Sequence, residues 1–276
     1  MEYINIQSIL QQMPPERRLH LPAFVIRLIE KIIRQKEMNR LLSAYGHLSP
    51  SGFLEAIIRE FRIDLQVEGM ENFPSHSRCF FVANHPFGIA DGLALVYLVQ
   101  QRYGSLKAIG NEAFMFIPPL QPFMVAVNVF GRNSKTVVEQ LNKIYSSDIA
   151  ITHFPAGEVS RRYHKKIEDL PWQKSFITKA VSCRRDVVPV YFYGSNSWLF
   201  HAIYRLRKIL QIKTNLELVL LPHEMFNKKG KTIRIKIGKP IPWHRFDRSC
   251  SPYEWAQKVR KYVYEMGNTN QIIDFY

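Results

Sequence analysis

From Ile63 to Met266, short apolar runs alternate with segments in which apolar residues repeat at helical spacing. The runs have the length and composition of buried strands. Alternation of this kind is typical of an α/β fold, with a mixed, largely parallel sheet covered by helices. The predicted strands are 63–67, 79–83, 106–109, 123–130, 149–154, 187–193, 216–221 and 232–237, and the predicted helices are 92–103, 135–145, 172–183 and 253–266.

An N-terminal helical segment, residues 1–62, precedes the α/β domain predicted for residues 63–276. Residues 23–45 predict one amphipathic helix, with apolar residues such as Val25 and Ile29 opposite basic residues such as Arg27 and Lys31. Such a helix either packs on its own domain or lies in the interface of an anionic bilayer. The sequence leaves both readings open.

The chain carries 38 Lys and Arg against 23 Asp and Glu, a net charge of +15. A field this positive indicates an anionic partner, such as nucleic acid, an acidic membrane surface, or a phosphate-bearing substrate or carrier. With 46% hydrophobic residues over 276 positions, the chain is long enough to bury a substantial core.

The three cysteines form no metal-binding or disulfide pattern, which favours a reducing compartment. The N-terminus lacks the layout of a secretory signal, and no stretch approaches the roughly 20 apolar residues of a spanning helix. We expect a cytoplasmic protein, peripheral on the inner face of the cell membrane.

The segment 80–92, FFVANHPFGIADG, carries the strongest indication of chemistry. It predicts a buried strand, a tight loop and a helix, with His85 after the strand and Asp91 at the helix start. A histidine can take a proton from a hydroxyl, and a carboxylate on its other ring nitrogen would orient it. Alone, the two residues fit equally well a polar strand edge and a helix cap.

Three further apolar runs end in glycine or proline followed by polar groups, in segments 125–134, 149–162 and 187–197. Each would bring polar groups to the same edge of the sheet. Arg132 and Arg161, which follow such runs, are suited to an anion, and glycines let the backbone approach a ligand closely. Taken singly, each segment is more simply a solvated loop with a turn glycine; their recurrence beside His85 predicts one anion-binding cleft.

Residues 65–240 resemble the glycerolipid acyltransferases, also called lysophospholipid or 1-acylglycerol-3-phosphate acyltransferases, and within them the bacterial hemolysin-like branch. The four ordered blocks of that family match Asn84, His85 and Asp91; Phe130 and Arg132; Phe154, Pro155, Gly157, Ser160 and Arg161; and Val188, Pro189 and Val190. Two features depart from the family pattern. One residue more than usual separates His85 from Asp91, and Ala156 stands where a glutamate is usual, with Glu158 two positions on.

The resemblance implies an enzyme, an O-acyltransferase that moves a fatty acyl chain from acyl-ACP or acyl-CoA to the hydroxyl of a lysolipid. The acceptor would be a lysophosphatidic acid-type glycerolipid or a lyso-amino-acid lipid. His85 would be the general base and Asp91 its orienting carboxylate; no metal and no cofactor beyond the acyl donor is implied. The expected substrate-binding residues are Asn84, Gly88, Arg132, Gly157, Glu158, Ser160 and Arg161.

The expected partners are acyl carrier protein or a CoA thioester, the lysolipid and an anionic membrane surface. The N-terminal helices would dock on that membrane, helped by basic residues in 205–208 and 228–231. Two other readings remain at this stage. A basic nucleic-acid-binding protein is one, although no recognised nucleic-acid motif is evident; a non-catalytic lipid-binding protein of the same fold is the other.

Overall fold

The computed structural model describes residues 3–12, 21–127, 134–163, 166–269 and 274–275. Its N-terminal helices are α1 (Ile6–Gln12), α2 (Ala23–Ile32), α3 (Gln35–Tyr45) and α4 (Pro50–Glu60). The single helix expected over residues 23–45 is therefore wrong. Arg34 adopts a left-handed conformation (φ 55°) between α2 and α3, which ends one helix and begins the next.

The expected mixed, largely parallel sheet is confirmed. Within the described residues, seven strands form it in the order β1-β9-β8-β2-β5-β3-β4. The five strands from β8 to β4 run parallel, whereas β9 runs antiparallel to β8 and pairs in parallel with β1. The strands are β1 (Asp64–Glu68), β2 (Cys79–Ala83), β3 (Leu106–Asn111), β4 (Met124–Val127), β5 (Ala150–His153), β8 (Asp186–Phe192) and β9 (Thr232–Ile237), with β6 (Arg161–Tyr163) and β7 (Lys166–Glu168) in a separate antiparallel pair.

Helices cover both faces of the sheet. All five residues of β2 are buried, and they alternate between two apolar cores, with Phe81 in one and Phe80 in the other. The first core also receives side chains from α3, α4 and α5, and the second from α7 and α10. The remaining helices are α5 (Ile89–Tyr103), α6 (Lys135–Ser146), α7 (Ser175–Cys183), α8 (Trp198–Ile209), α9 (Leu221–Phe226) and α10 (Pro252–Asn268).

The region between β8 and β9 differs most from expectation. Residues 216–221 do not form a strand; Leu216–Leu220 is a 3₁₀ turn that leads directly into α9. Helix α8, which the sequence reading missed, begins at Ser197, whose hydroxyl accepts a hydrogen bond from the Phe200 N–H. Of the strand expected over residues 123–130, residues 128–130 lie outside the described part of the chain.

The sheet brings three of the expected loops to one edge. Strand β2 lies between β5 and β8, with Val82 opposite His153 and Ala83 opposite Val190. Because these strands are parallel, the residues that follow each of them emerge at the same carboxyl edge. None of the helices in the described ranges combines the length and apolar character needed to cross a membrane.

Candidate active site

His85 and Asp91 meet across the loop between β2 and α5. The His85 Nδ1 lies 3.1 Å from the Asp91 Oδ1, close enough for an ion pair when the ring is protonated. The approach angle departs from that of an ideal N–H···O bond, as is common in catalytic pairs without substrate. With Nδ1 directed at the carboxylate, Nε2 is the nitrogen left to receive a proton from a substrate.

Asp91 is fully buried, and the main chain holds its carboxylate on both oxygens. Its Oδ2 accepts the Phe87 N–H at 2.8 Å, and its Oδ1 accepts the Gly92 N–H at 2.8 Å. Asp91 lies in the first turn of α5, at the positive end of the helix dipole. The carboxylate is therefore fixed before any substrate binds.

Gly88 and Gly157 shape the rim of the site. Gly88 precedes α5 with φ 83°, and a β-carbon there would lie 2.9 Å from Leu221 and 3.0 Å from Val159. Gly157 has φ 70° in the turn after β5, where the surrounding space is open. Both positions favour glycine through their left-handed backbone, and both border the cavity described next.

A largely apolar cavity of about 400 Å³ opens beside His85. His85, Gly157 and Glu158 are among its lining residues. Most of the rest of the wall comes from the N-terminal helices, α5, strands β3 to β5, the segment after β3, the Leu216–Leu220 turn and the start of α9. Representative lining residues are Ile9, Met38, Leu93, Phe114, Ile117, Phe123, Met124 and Leu221.

Asn84 supports the site from within the sheet. Its amide nitrogen donates to the Phe192 carbonyl at 3.0 Å, and its oxygen accepts the Phe192 N–H at 2.7 Å. The side chain is buried and continues the β2–β8 pairing by one more residue. Since both ends of the amide are engaged by the main chain, we do not propose Asn84 as a substrate ligand.

Arg161 was expected to face an anionic ligand, but it lies inside the protein. Its guanidinium bonds Glu217 at 3.0 Å and stacks 4.9 Å from the centre of the Phe200 ring. Glu217 also pairs with Arg207 at 2.9 Å, and all three charged side chains are buried. The positive charge of Arg161 is thus paired with Glu217, and we do not propose that Arg161 binds the head group of a substrate.

Ser160 likewise belongs to the interior. Its hydroxyl donates to the Asp169 Oδ1 at 2.5 Å, and its N–H donates to the His85 carbonyl at 2.8 Å. Asp169, which the sequence reading did not single out, is buried beneath His85. The only local signal was an aspartate within the sequence Asp-Leu-Pro-Trp, residues 169–172, a pattern that does not reveal a partner far away in the chain.

Lys228, expected at a membrane surface, is half-buried beside the loop between β2 and α5. Its ammonium lies 3.8 Å from the centre of the Phe87 ring and donates to the Ser195 carbonyl at 3.2 Å. Burial lowers the pKa of this ammonium, while the carboxylates of Glu224 and Asp91 oppose the shift. Phe130 and Arg132, the second family block, lie outside the described residues.

Nowhere in the described ranges do three or more His, Cys, Asp or Glu side chains come together as a metal site would require. The chemistry available to the described residues is that of a histidine base, an orienting carboxylate and main-chain N–H donors at the start of α5. This set suits attack by an external hydroxyl on an acyl group.

Comparison with known proteins identifies the family of the chain. Residues 8–272 match the family model described as "Acyltransferase". The chain is 36% identical to the lyso-glycine lipid O-acyltransferase of Phocaeicola vulgatus, over 95% of each chain. It is 37% identical to the protein of the same name from Bacteroides thetaiotaomicron, over 95% of this chain and 97% of that one.

Among solved structures, the 1-acyl-sn-glycerophosphate (LPA) acyltransferase PlsC from Thermotoga maritima aligns with 90% of this chain and 94% of its own. The two are 18% identical, with a TM-score of 0.49. The family match spans nearly the whole chain, and both relatives named above are O-acyltransferases. The chain is therefore an enzyme that belongs to the acyltransferase family.

Proposed function

We propose that this enzyme transfers a fatty acyl chain from an acyl thioester, acyl-ACP or acyl-CoA, to the hydroxyl of a lyso-amino-acid lipid of the lyso-glycine type. The observation that carries the proposal is the His85–Asp91 pair, whose histidine lines a largely apolar cavity. A fatty chain fits such a cavity, and its reactive end would then lie beside the imidazole.

In this reaction the acceptor hydroxyl is the nucleophile. His85 Nε2 takes its proton as the oxygen attacks the thioester carbonyl, and Asp91 stabilises the imidazolium that forms. Main-chain N–H groups in the Gly88–Ile89 turn are the donors we assign to the oxyanion. Collapse of the tetrahedral intermediate releases the thiolate, which receives the proton from His85, and leaves the new ester.

Two observations support an amino-acid lipid over a phosphate-bearing acceptor. Both of the relatives described above carry the name lyso-glycine lipid O-acyltransferase. In addition, Arg161, the arginine of the third family block, is committed to Glu217. We retain Glu158 and Gly157 as the cavity-rim residues nearest to an acceptor, and Arg132 stays a prediction.

The acceptor is tested with purified enzyme, one acyl donor, and either lyso-glycine lipid or lysophosphatidic acid, with the products identified by mass spectrometry. We expect kcat/KM for lyso-glycine lipid to exceed that for lysophosphatidic acid by about tenfold or more, the discrimination that a mismatched polar group commonly produces. Comparable values for the two acceptors would contradict this assignment. Repeating the assay with acyl-ACP and acyl-CoA identifies the donor.

We further propose that the enzyme rests on an anionic membrane surface. No residue of α2 is buried, and Phe24 and Leu28 are largely exposed. Helix α8 and its C-terminal extension expose Trp198, Ile209 and Leu210 next to basic residues such as Lys208. Helix α2 packs against the Leu216–Leu220 turn, which carries the cavity-lining Leu218. The apolar faces therefore adjoin the cavity that a lipid must enter.

A further inference from the structure

Asp169 is a buried carboxylate that contacts the main chain of His85. It is 2% exposed, and its Oδ1 accepts the His85 N–H at 3.2 Å and the Ser160 hydroxyl at 2.5 Å. Its Oδ2 accepts the indole N–H of Trp172 at 2.9 Å. Three donors thus converge on two oxygens. Burial raises the pKa of this carboxyl, and the hydrogen bonds from Ser160, Trp172 and His85 oppose the shift.

The same network holds the other side of the His85 residue. The Ser160 N–H donates to the His85 carbonyl at 2.8 Å, so Asp169 and Ser160 together engage both main-chain polar groups of His85. The ring is held separately, by Asp91 at Nδ1 and by Phe154 stacked on its face. Backbone and imidazole are therefore restrained by different residues.

We propose that Asp169 is a positioning residue for the acyl-transfer reaction: its hydrogen bonds to His85 and Ser160 fix the backbone from which the catalytic imidazole reaches the cavity. This inference rests on the proposed role of His85 as general base. A misplacement of about 1 Å in a reacting group can lower a rate by on the order of 10²-fold. Asp169 thus has an effect on turnover that is separate from substrate binding.

Asp169 also joins the site to the rest of the fold. Its N–H donates to the Tyr264 hydroxyl at 2.8 Å, and its carbonyl accepts a hydrogen bond from Arg260 at 2.6 Å, both from α10. If Asp169 acted only through these contacts to α10, its role would be purely structural. In that case, loss of the carboxylate would lower stability and leave the turnover of folded enzyme unchanged.

The test compares Asp169→Ala with Trp172→Phe, measured beside the wild type. Alanine removes the acceptor of all three hydrogen bonds, whereas an asparagine could keep its oxygen toward His85 and Ser160 and turn its NH₂ group toward Trp172 alone. Trp172→Phe removes one bond to the same carboxylate and disturbs the same core, but it leaves both contacts to His85 and Ser160. It is therefore the matched control for structural damage.

We expect Asp169→Ala to lower kcat by about tenfold or more per folded molecule, with KM for donor and acceptor within about twofold of wild type. Trp172→Phe should lower the melting temperature and keep kcat within about threefold. Equal kcat losses in the two variants, or wild-type kcat in Asp169→Ala, would overturn the inference. If Asp169→Ala does not fold, the double variant with Trp172→Phe, which removes the unpaired indole N–H, is compared with Trp172→Phe alone by the same criteria.

The wild-type reaction in the same assay tests the proposed function separately. An inactive wild type counts against the assigned acceptor. In that event, the variants are compared by another measurement instead of kcat. This is the rate at which diethyl pyrocarbonate modifies His85, followed by mass spectrometry. A rate in Asp169→Ala within about twofold of that in Trp172→Phe would then overturn the positioning role, and a larger difference would support it.

Discussion

The imidazole of His85 stacks on the ring of Phe154, with centroids 3.9 Å apart and 24° between the ring planes. His85 follows β2 and Phe154 follows β5, so the stack joins the ends of two neighbouring strands. It restrains rotation of the imidazole about its side-chain bonds while Asp91 holds Nδ1. An aromatic residue of the third family block thus restrains the ring of the proposed general base.

Phe154→Leu should lower kcat by about tenfold, because an aliphatic side chain leaves the imidazole free to adopt other rotamers. Phe154→Tyr, which preserves the ring, should keep kcat within about threefold. Steady-state kinetics on both variants tests this difference. A Phe154→Leu enzyme with the turnover of Phe154→Tyr would show that the stack has no catalytic effect.

The buried ion pairs of Glu217 predict a large loss of stability on one substitution. Glu217→Gln leaves Arg161 and Arg207 buried without their counter-ion, and uncompensated burial of this kind costs about 3–5 kcal/mol. Glu60→Gln is the control, because Glu60 pairs with an exposed Arg40 and such surface pairs contribute at most about 1 kcal/mol. In urea unfolding, the midpoint of Glu217→Gln should lie clearly below that of Glu60→Gln. Similar midpoints would contradict the buried ion pairs of Glu217.

His201 predicts a loss of stability in mild acid. Burial, reinforced by the nearby Arg162 and Arg161 and opposed by Glu224, lowers the pKa of its imidazole from 6.5 to about 4. The unfolded chain therefore binds a proton at a higher pH than the folded chain does. The contribution of neutral His201 to the free energy of unfolding is complete above about pH 6.5 and is lost as the pH falls toward 4. Each pKa unit corresponds to about 1.4 kcal/mol.

His201→Phe fills the ring volume without a titrating group, so its melting temperature should fall less steeply than that of wild type between pH 6.5 and 4. His153, whose pKa burial lowers to about 4, leaves a residual slope in this variant. His244→Phe alters an exposed histidine and should retain the wild-type slope. Parallel curves for all three proteins would refute the assignment.

The exposed tryptophan at the start of α8 predicts membrane affinity. Trp198 is 79% exposed, and burial of an aromatic side chain in the bilayer interface contributes about 1.5–3 kcal/mol. Trp198→Ser should therefore weaken binding to vesicles of anionic lipid by about tenfold, and salt should release the wild type. Tyr253→Ser, at an exposed aromatic of α10, is the matched control. Vesicle binding is measured by sedimentation. Equal loss of binding in both variants would argue against the exposed face of α8 as the membrane-binding surface.

Sequence reasoning succeeded where the determinants are local. Strand β2 was predicted at its observed bounds because five successive apolar residues, Cys79–Ala83, are bounded by loop residues and buried on both sides. The His85–Asp91 contact also spans one loop. Residues 216–221, however, combine apolar content with only weak periodicity, and packing beside α8 and α2 selects a 3₁₀ turn and a helix there.

The contacts that could not be predicted from the sequence join residues that are distant in the chain. Asp169 bonds His85 across 84 positions, and Glu217 neutralises Arg161 across 56. Nothing in the spacing around Arg161 distinguishes a buried arginine from one that binds a ligand. The neighbouring strands fold these segments together, and only the folded chain shows which charges are already paired.

The central claim is that His85 is the general base and that Asp91 orients it. The most direct test is the kcat of purified His85→Gln and Asp91→Asn, each with a melting temperature near that of wild type. We expect turnover to fall by at least about 10²-fold in both variants, the range for loss of a positioned base. A folded His85→Gln enzyme that transfers acyl chains at the wild-type rate would contradict the account.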